Sequence, residues 1–406
     1  MAGLNPRYIL RKATRTLFPD EVMPYQKRLS VYNAKWKGDA NSPVMLMIDD
    51  LTNAWMKVSQ GENFETRGDW GGLYDSPQSI FSFLEENLFN FFPEIKTTFF
   101  AVMGAISQYT FHEFFTFAGA VNENMNSLRF FNKVFSDPRF EIAYHGLHHG
   151  KPGKTTKDFV QEWKSFHSLD EAIQIIRKGQ EIYKSAFGVM PHGGKYCGWE
   201  YNSFSDPSVD EAGFRWWCRD WMPKDISGNV VKEYYEPQYF GKSKVIALPS
   251  TIHGRNWTKK QIDRLCEDRQ IISIEEHMGA IRPDGLIQTP NAYDDIARLR
   301  TLFKYLRQKK VWYAKGSEIA DYIDAYINTF VTDIGENSFR IDYAGRKQDN
   351  EITLVIQMVG AWQGHKENLM LVCPDGSLIG GHKGDNIGTM VFTLPAQSGI
   401  FYLRER

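Results

Sequence analysis

At 406 residues the chain is too long for one small core and predicts two or three domains. Its 48 Lys and Arg nearly cancel its 49 Asp and Glu, which excludes a global field that would recruit nucleic acid or an anionic surface. Four cysteines, Cys197, Cys218, Cys266 and Cys373, form no CxxC pair and read as free thiols in a reducing compartment. The aromatic fraction of 14%, with 11 Trp, suits either stacking on sugar rings or an aromatic core.

Residues 1–40 read as an N-terminal extension. The segment "MAGLNPRYILRKATRTLFPDE" lacks the apolar stretch of about 7–15 residues that a secretory signal needs. No run approaches the roughly 20 apolar residues of a membrane span, so the expectation is a soluble, cytoplasmic protein. The basic, loosely amphipathic "RYILRKATRTLF" offers either a weak peripheral membrane contact or a frayed terminus.

From residue 41 onward, apolar strand-like runs recur at 44–48, 97–104, 140–144, 213–217, 244–249, 270–274 and 311–314. Segments of helical period lie between them, at 77–92, 169–188 and 292–310. In the last of these, Ile296, Leu299, Leu302, Phe303 and Leu306 make one apolar stripe. Alternating strands and helices predict parallel strands with right-handed crossovers, as a barrel or a doubly wound sheet. Chemistry is then expected at the C-terminal ends of the strands. Residues 331–406 change texture, with short strands separated by Gly, Asp and Pro turns, and predict a small β-sandwich-like all-β domain.

Polar residues collect where these strands end. "VMLMIDD" closes on Asp49 and Asp50, two acids after a buried run, which costs desolvation and mutual repulsion unless a positive group stands near. An Asp turn or helix cap is the plain alternative. "FEIAYHGLHHG" ends in three histidines, of which His145 and His149 are four apart, the spacing of one face of a helical turn. His148 falls on a different face and reads as the spare. Two imidazoles and a carboxylate suit catalytic zinc and also non-haem iron. Further strand ends carry Lys195, Trp199, Asp220, Trp221, His253 and His277.

These motifs resemble those of the NodB-homology polysaccharide deacetylases, carbohydrate esterase family four. "MLMIDD" is similar to the family's first motif, and "HGLHH" to its second, His-(Ser/Thr)-x-x-His, with Gly146 in the hydroxyl position. "GFRWWCRDW" resembles the fourth motif, and "VWYAKGSEIADY" the closing strand and helix. The likeness runs over residues 41–328. It implies a distorted (β/α) barrel of about seven strands and metal-dependent removal of an N-acetyl group from a sugar or glycan intermediate.

The resemblance further implies that Asp50, His145 and His149 hold a divalent ion, Zn2+ first, with Co2+, Ni2+ or Fe2+ as alternatives. Asp49 would be the general base, His277 the general acid, and Asp220 the residue that holds its imidazole. Lys195 would pair with the base, and Tyr196, Trp199, Trp221 and His253 would bind substrate, His253 also competing for the acid role.

Three departures accompany it. Lys195 and Cys197 stand where the family's third motif has Arg and Pro, and Lys cannot make the planar bidentate contact of Arg. Cys197 is also a candidate for meeting the metal. Glu275 and Glu276 precede His277 where the family has Leu-x-His. An insertion after the first motif carries Trp55, Trp70 and Tyr74, which suit either a sugar cleft or simple loop packing. Two other functions fit the same scaffold: an amidase acting on a small non-sugar amide, and a catalytically impaired glycan-binding protein.

Overall fold

Ser42–Leu51 (β1) is buried along its whole length, as a strand covered on both faces must be. In the computed structural model, which describes residues 28–56, 79–107, 115–220, 238–279, 288–335, 337–347, 349–359 and 369–405, β1 is central to a mostly parallel sheet. The chain divides into two units, Lys35–Asp324 and Met1–Ala34 with Ala325–Arg406.

In the larger unit the sheet continues through Thr97–Ala101 (β2), Phe140–Tyr144 (β3), Gly193–Lys195 (β4), Trp216–Asp220 (β5), Val245–Ser250 (β6), Ile272–His277 (β7) and Val311–Tyr313 (β8). Its parallel order is β6-β5-β4-β3-β2-β1-β7, with β8 also paired to β1. The short strand Ile252–His253, which follows β6, pairs in parallel with β7. The run Val245–His253 is therefore bonded to β5 through its first part and to β7 through its last.

The predicted helices form where the apolar stripes demanded them. Leu169–Phe187 (α1) starts at Ser168, whose hydroxyl accepts the Glu171 N–H, and ends at Gly188 in the left-handed region. It buries Ala172, Ile176, Gly179 and Tyr183. Gly179 has no tolerance for a side chain, because a Cβ there would lie 2.2 Å from the Tyr144 hydroxyl. Ile296–Leu306 (α2) buries Leu299, Leu302, Phe303 and Leu306, the stripe read from the sequence. Of the predicted segment 77–92, the described residues 79–92 give Ile80–Leu84 as α-helix, followed by a looser π-type turn over Glu85–Phe89. Trp36, Trp163, Trp216 and Trp217 are fully buried, so packing alone accounts for these indoles.

The smaller unit holds two antiparallel sheets. One runs Arg28–Asn33, Glu351–Val359, Thr389–Pro395, His382–Lys383. The other runs Thr329–Asp333, Ser338–Tyr343, Gly399–Glu405, Leu369–Val372, Leu378–Gly380. Alternate residues such as Phe339, Ile341, Leu354, Ile356, Phe401 and Leu403 make its core. Arg28–Asn33, read from the sequence as part of an extension, is a strand of this unit. Its alternation is too short to register as a strand by pattern alone. No helix of the described residues is long and apolar enough to cross a membrane.

Candidate metal centre

The two acids of β1 reach one site because the strand is interrupted there. The register of β1 on β2 shifts between Ile48 and Leu51, and Asp50 adopts φ 65°. In a regular strand Asp49 and Asp50 would point to opposite faces; a bulge with one left-handed residue turns both the same way. Asp is among the few residues that tolerate that conformation.

The histidines follow a similar device rather than the helical turn that their spacing suggests. Gly146 has φ 120° and His149 φ 70°, so the segment after β3 is a loop and not a right-handed helix. It is held by the Met103 and Gly104 N–H groups, which donate to the Gly146 and Leu147 carbonyls at 3.0 and 2.8 Å. His145 and His149 are buried, whereas His148 is exposed with its Nδ1 2.9 Å from the Ala105 carbonyl oxygen.

Asp50 Oδ1 lies 3.1 Å from His149 Nε2 and 3.6 Å from His145 Nε2. It is buried and has no hydrogen-bond partner among the described residues, so the 3.1 Å approach is not an aligned hydrogen bond. Donors about 2.0–2.1 Å from a tetrahedral ion stand about 3.3–3.4 Å apart, and these separations straddle that value. His145 Nδ1 faces the Lys195 carbonyl at 3.0 Å, which leaves Nε2 directed at Asp50. The residues fit a divalent ion.

Electrostatics set these groups apart: burial opposes charge on the His149 imidazole, but Asp50 overcomes it and raises its pKa. Burial pushes the His145 imidazole down, into the neutral form a ligand requires. Burial also raises the Asp50 carboxyl, but the His149, His277 and His145 imidazoles outweigh it and hold Asp50 well below the usual carboxylate range. Asp49 behaves differently: burial lifts it to about 6, against the pull of Lys195 and His277. Two adjacent acids thus have separate characters set by their surroundings.

Two groups of ligand-type atoms each lie within 4.8 Å of one another: His145, His149 and Cys197, and Asp49, Glu275 and His277. The second lies around Lys195. Its cation is already present. Lys195 Nζ is 2.6 Å from Asp49 Oδ2 and 2.9 Å from Glu275 Oε1, and Lys195 is fully buried. Burial opposes the ammonium charge, yet Asp49 and Glu275 overcome it and raise the Lys195 pKa. Trp199 closes this network from above, with its Nε1 donating to Glu275 Oε1 at 2.9 Å and its ring 4.0 Å from the ammonium. One ammonium is thus shared between two carboxylates.

His277 Nε2 stands 3.8 Å from Asp49 Oδ2, and its Nδ1 faces the Pro290 carbonyl at 2.8 Å. That carbonyl, and not Asp220, is the group on Nδ1; Asp220 sits half-buried at the end of β5, paired in register with Ser250. His253 is half-buried beside Glu275 in register, so both histidines line one side of the site.

Tyr196, for which the resemblance implies a substrate contact, is instead 1% exposed, packs against Trp163 and Trp217, and donates its hydroxyl to Asp206. A Tyr one residue after Lys195 on the strand path points away from the site, into the core. Trp199 is half-buried against Lys195 and Glu275. Cys197 Sγ lies near the His145 and His149 ligand atoms, but its S–H donates to the His145 carbonyl and burial pushes the thiol pKa up. All four cysteines are free and buried. Trp221, Trp70 and Tyr74 lie outside the described residues, as does the side chain of Trp55.

No family model matches the chain, and no curated protein matches it. The solved structures similar to it include polysaccharide deacetylases. A Mycobacterium smegmatis protein described as a polysaccharide deacetylase is 16% identical, with 71% of this chain and 92% of that one covered at a TM-score of 0.42. An allantoinase is 16% identical over 75% of this chain and 96% of its own, at a TM-score of 0.43. A family 4 acetyl xylan esterase of Clostridium thermocellum, solved with a cobalt ion, is 11% identical over 68% of this chain and 90% of its own, at a TM-score of 0.34.

Two residues of the site escaped the sequence reading. Glu275 had a visible signal, a charged residue inside an otherwise apolar strand, but nothing in the sequence named Lys195 as its partner. Glu162, which touches the histidine loop, carried no signal at all.

Proposed function

We propose that this protein is a metal-dependent deacetylase that hydrolyses the N-acetyl group of an N-acetylated sugar or glycan intermediate, on a (β/α) barrel closed by the run Val245–His253. The observation that carries this reading is the buried, unbonded Asp50 Oδ1 facing the two imidazole nitrogens at 3.1 and 3.6 Å, with a second carboxylate next to it. The motifs of residues 49–50 and 145–149 support it.

Asp50, His145 and His149 would hold the ion. The chemistry a divalent ion supplies at such a centre is polarisation of the scissile carbonyl and a lowered pKa for water, from about 15.7 toward about 7. The protein's own groups do the rest. Asp49 takes the proton of the attacking water, and Lys195 holds the Asp49 carboxylate in place through Oδ2 while Oδ1 stays free of hydrogen bonds. Breaking one partner of such a buried pair costs about 3–5 kcal/mol, so the ammonium also keeps the two carboxylates together. His277 protonates the departing amine through Nε2, its ring fixed by the Pro290 carbonyl at Nδ1.

The test is acetate release from a panel of N-acetylated hexosamines and their oligomers, with and without a chelator. Chelator-sensitive release that zinc or cobalt restores is the expected result. Stoichiometric metal without acetate from any member of the panel would contradict the reading.

A further inference from the structure

The loop that presents His145 and His149 turns through two left-handed residues, so its inner peptide N–H groups have no strand to bond to. One side chain from elsewhere in the chain meets them. Glu162 Oε1 accepts the Leu147 N–H at 2.8 Å, and Oε2 accepts the His148 N–H at 2.6 Å. The Glu162 N–H in turn donates to the His149 carbonyl at 3.0 Å. Glu162 thus touches three successive residues of the loop from one position. It is 4% exposed, so water cannot substitute for it.

The surroundings are built for this carboxylate. Gly150–Lys151 pairs antiparallel with Val160–Gln161, which sets Glu162 directly across from His149. A Cβ on Gly146 would lie 3.0–3.1 Å from the Glu162 carboxylate, so the glycine leaves the space that the acid fills. The loop's polar anchor is thus the side chain of residue 162.

We propose that Glu162 is a positioning residue for the metal centre, clamping the Gly146–His149 turn so that both imidazoles converge on Asp50. This assignment rests on the reading of His145 and His149 as ligands. A carboxylate offers an acceptor to each of two adjacent N–H groups, and charge strengthens both bonds. A carboxamide offers one acceptor and sets its own N–H2 against the other peptide group. An aspartate is too short by one methylene to reach both.

The test is the cobalt dissociation constant of the full chain, measured by competition with a chromophoric chelator for the native protein, Glu162→Gln and Glu162→Asp. Unfolding of the metal-free proteins is followed alongside. Outer-shell changes of this kind cost about 10–100-fold in metal affinity. Both variants are expected to weaken cobalt binding by about that factor while the metal-free chain still folds. If Glu162→Gln does not fold, Glu162→Asp provides the comparison. A Glu162→Gln protein with native cobalt affinity would overturn the assignment and leave the ligand reading intact. A native protein that binds no cobalt would overturn the ligand reading and this assignment with it.

Discussion

His145→Ala is expected to lose both its metal and its hydrolytic activity. The imidazole is 1% exposed, its Nδ1 is committed to the Lys195 carbonyl at 3.0 Å, and its Nε2 faces Asp50. The nearby Cys197 S–H is engaged with the His145 carbonyl. Loss of a direct ligand should exceed the about 10–100-fold that outer-shell changes cost. Metal content after dialysis, acetate release and circular dichroism together check the outcome. A folded His145→Ala protein with full metal content would remove His145 from the ligand set.

Asp49→Asn should separate binding from chemistry. Asp49 Oδ2 is held by Lys195 at 2.6 Å and stands 3.9 Å from His145 Nε2, whereas Asp50 Oδ1 faces the two imidazoles at 3.1 and 3.6 Å. Asparagine keeps the size of the side chain and an oxygen for the ammonium, but it cannot take up a proton. Metal content should stay near native while kcat falls by about 10²–10⁴-fold, the usual contribution of a positioned base. A variant that loses metal together with activity would make Asp49 a ligand instead of a base.

The alternation of strands and helices, and the strand ends that carry the polar residues, were legible because burial imposes periodicity. Asp50, His145 and His149 stood out because ionisable residues after apolar strands are costly without a purpose, and the structure brings them together. Their geometry was not legible. Spacing suggested a helical turn for His145–His149, but the turn depends on left-handed Gly146 and His149, conformations that sequence pattern does not encode. Asp49 and Asp50 share a site only because β1 bulges, which again depends on one backbone angle.

Hydrogen-bond partners were less legible than the clustered residues themselves. Lys195 could be matched with Asp49 by motif, yet its sharing with Glu275 depends on which strands are neighbours. Pro290, on Nδ1 of His277, offers only its backbone carbonyl, and a backbone group leaves no trace in residue identity. Tyr196 failed as a substrate residue because the chain direction at β4 sends alternate side chains to opposite faces. Arg28–Asn33 was missed because its sheet partner, Glu351–Val359, lies far away in the chain.

The most direct measurement is a crystal of the native protein soaked in cobalt and measured at the cobalt absorption edge. A single anomalous peak within bonding distance of Asp50 Oδ1, His145 Nε2 and His149 Nε2, with Lys195 still between Asp49 and Glu275, is the predicted result. No peak at those three atoms, or a peak among Asp49, Glu275 and His277 in place of the Lys195 ammonium, would contradict the account.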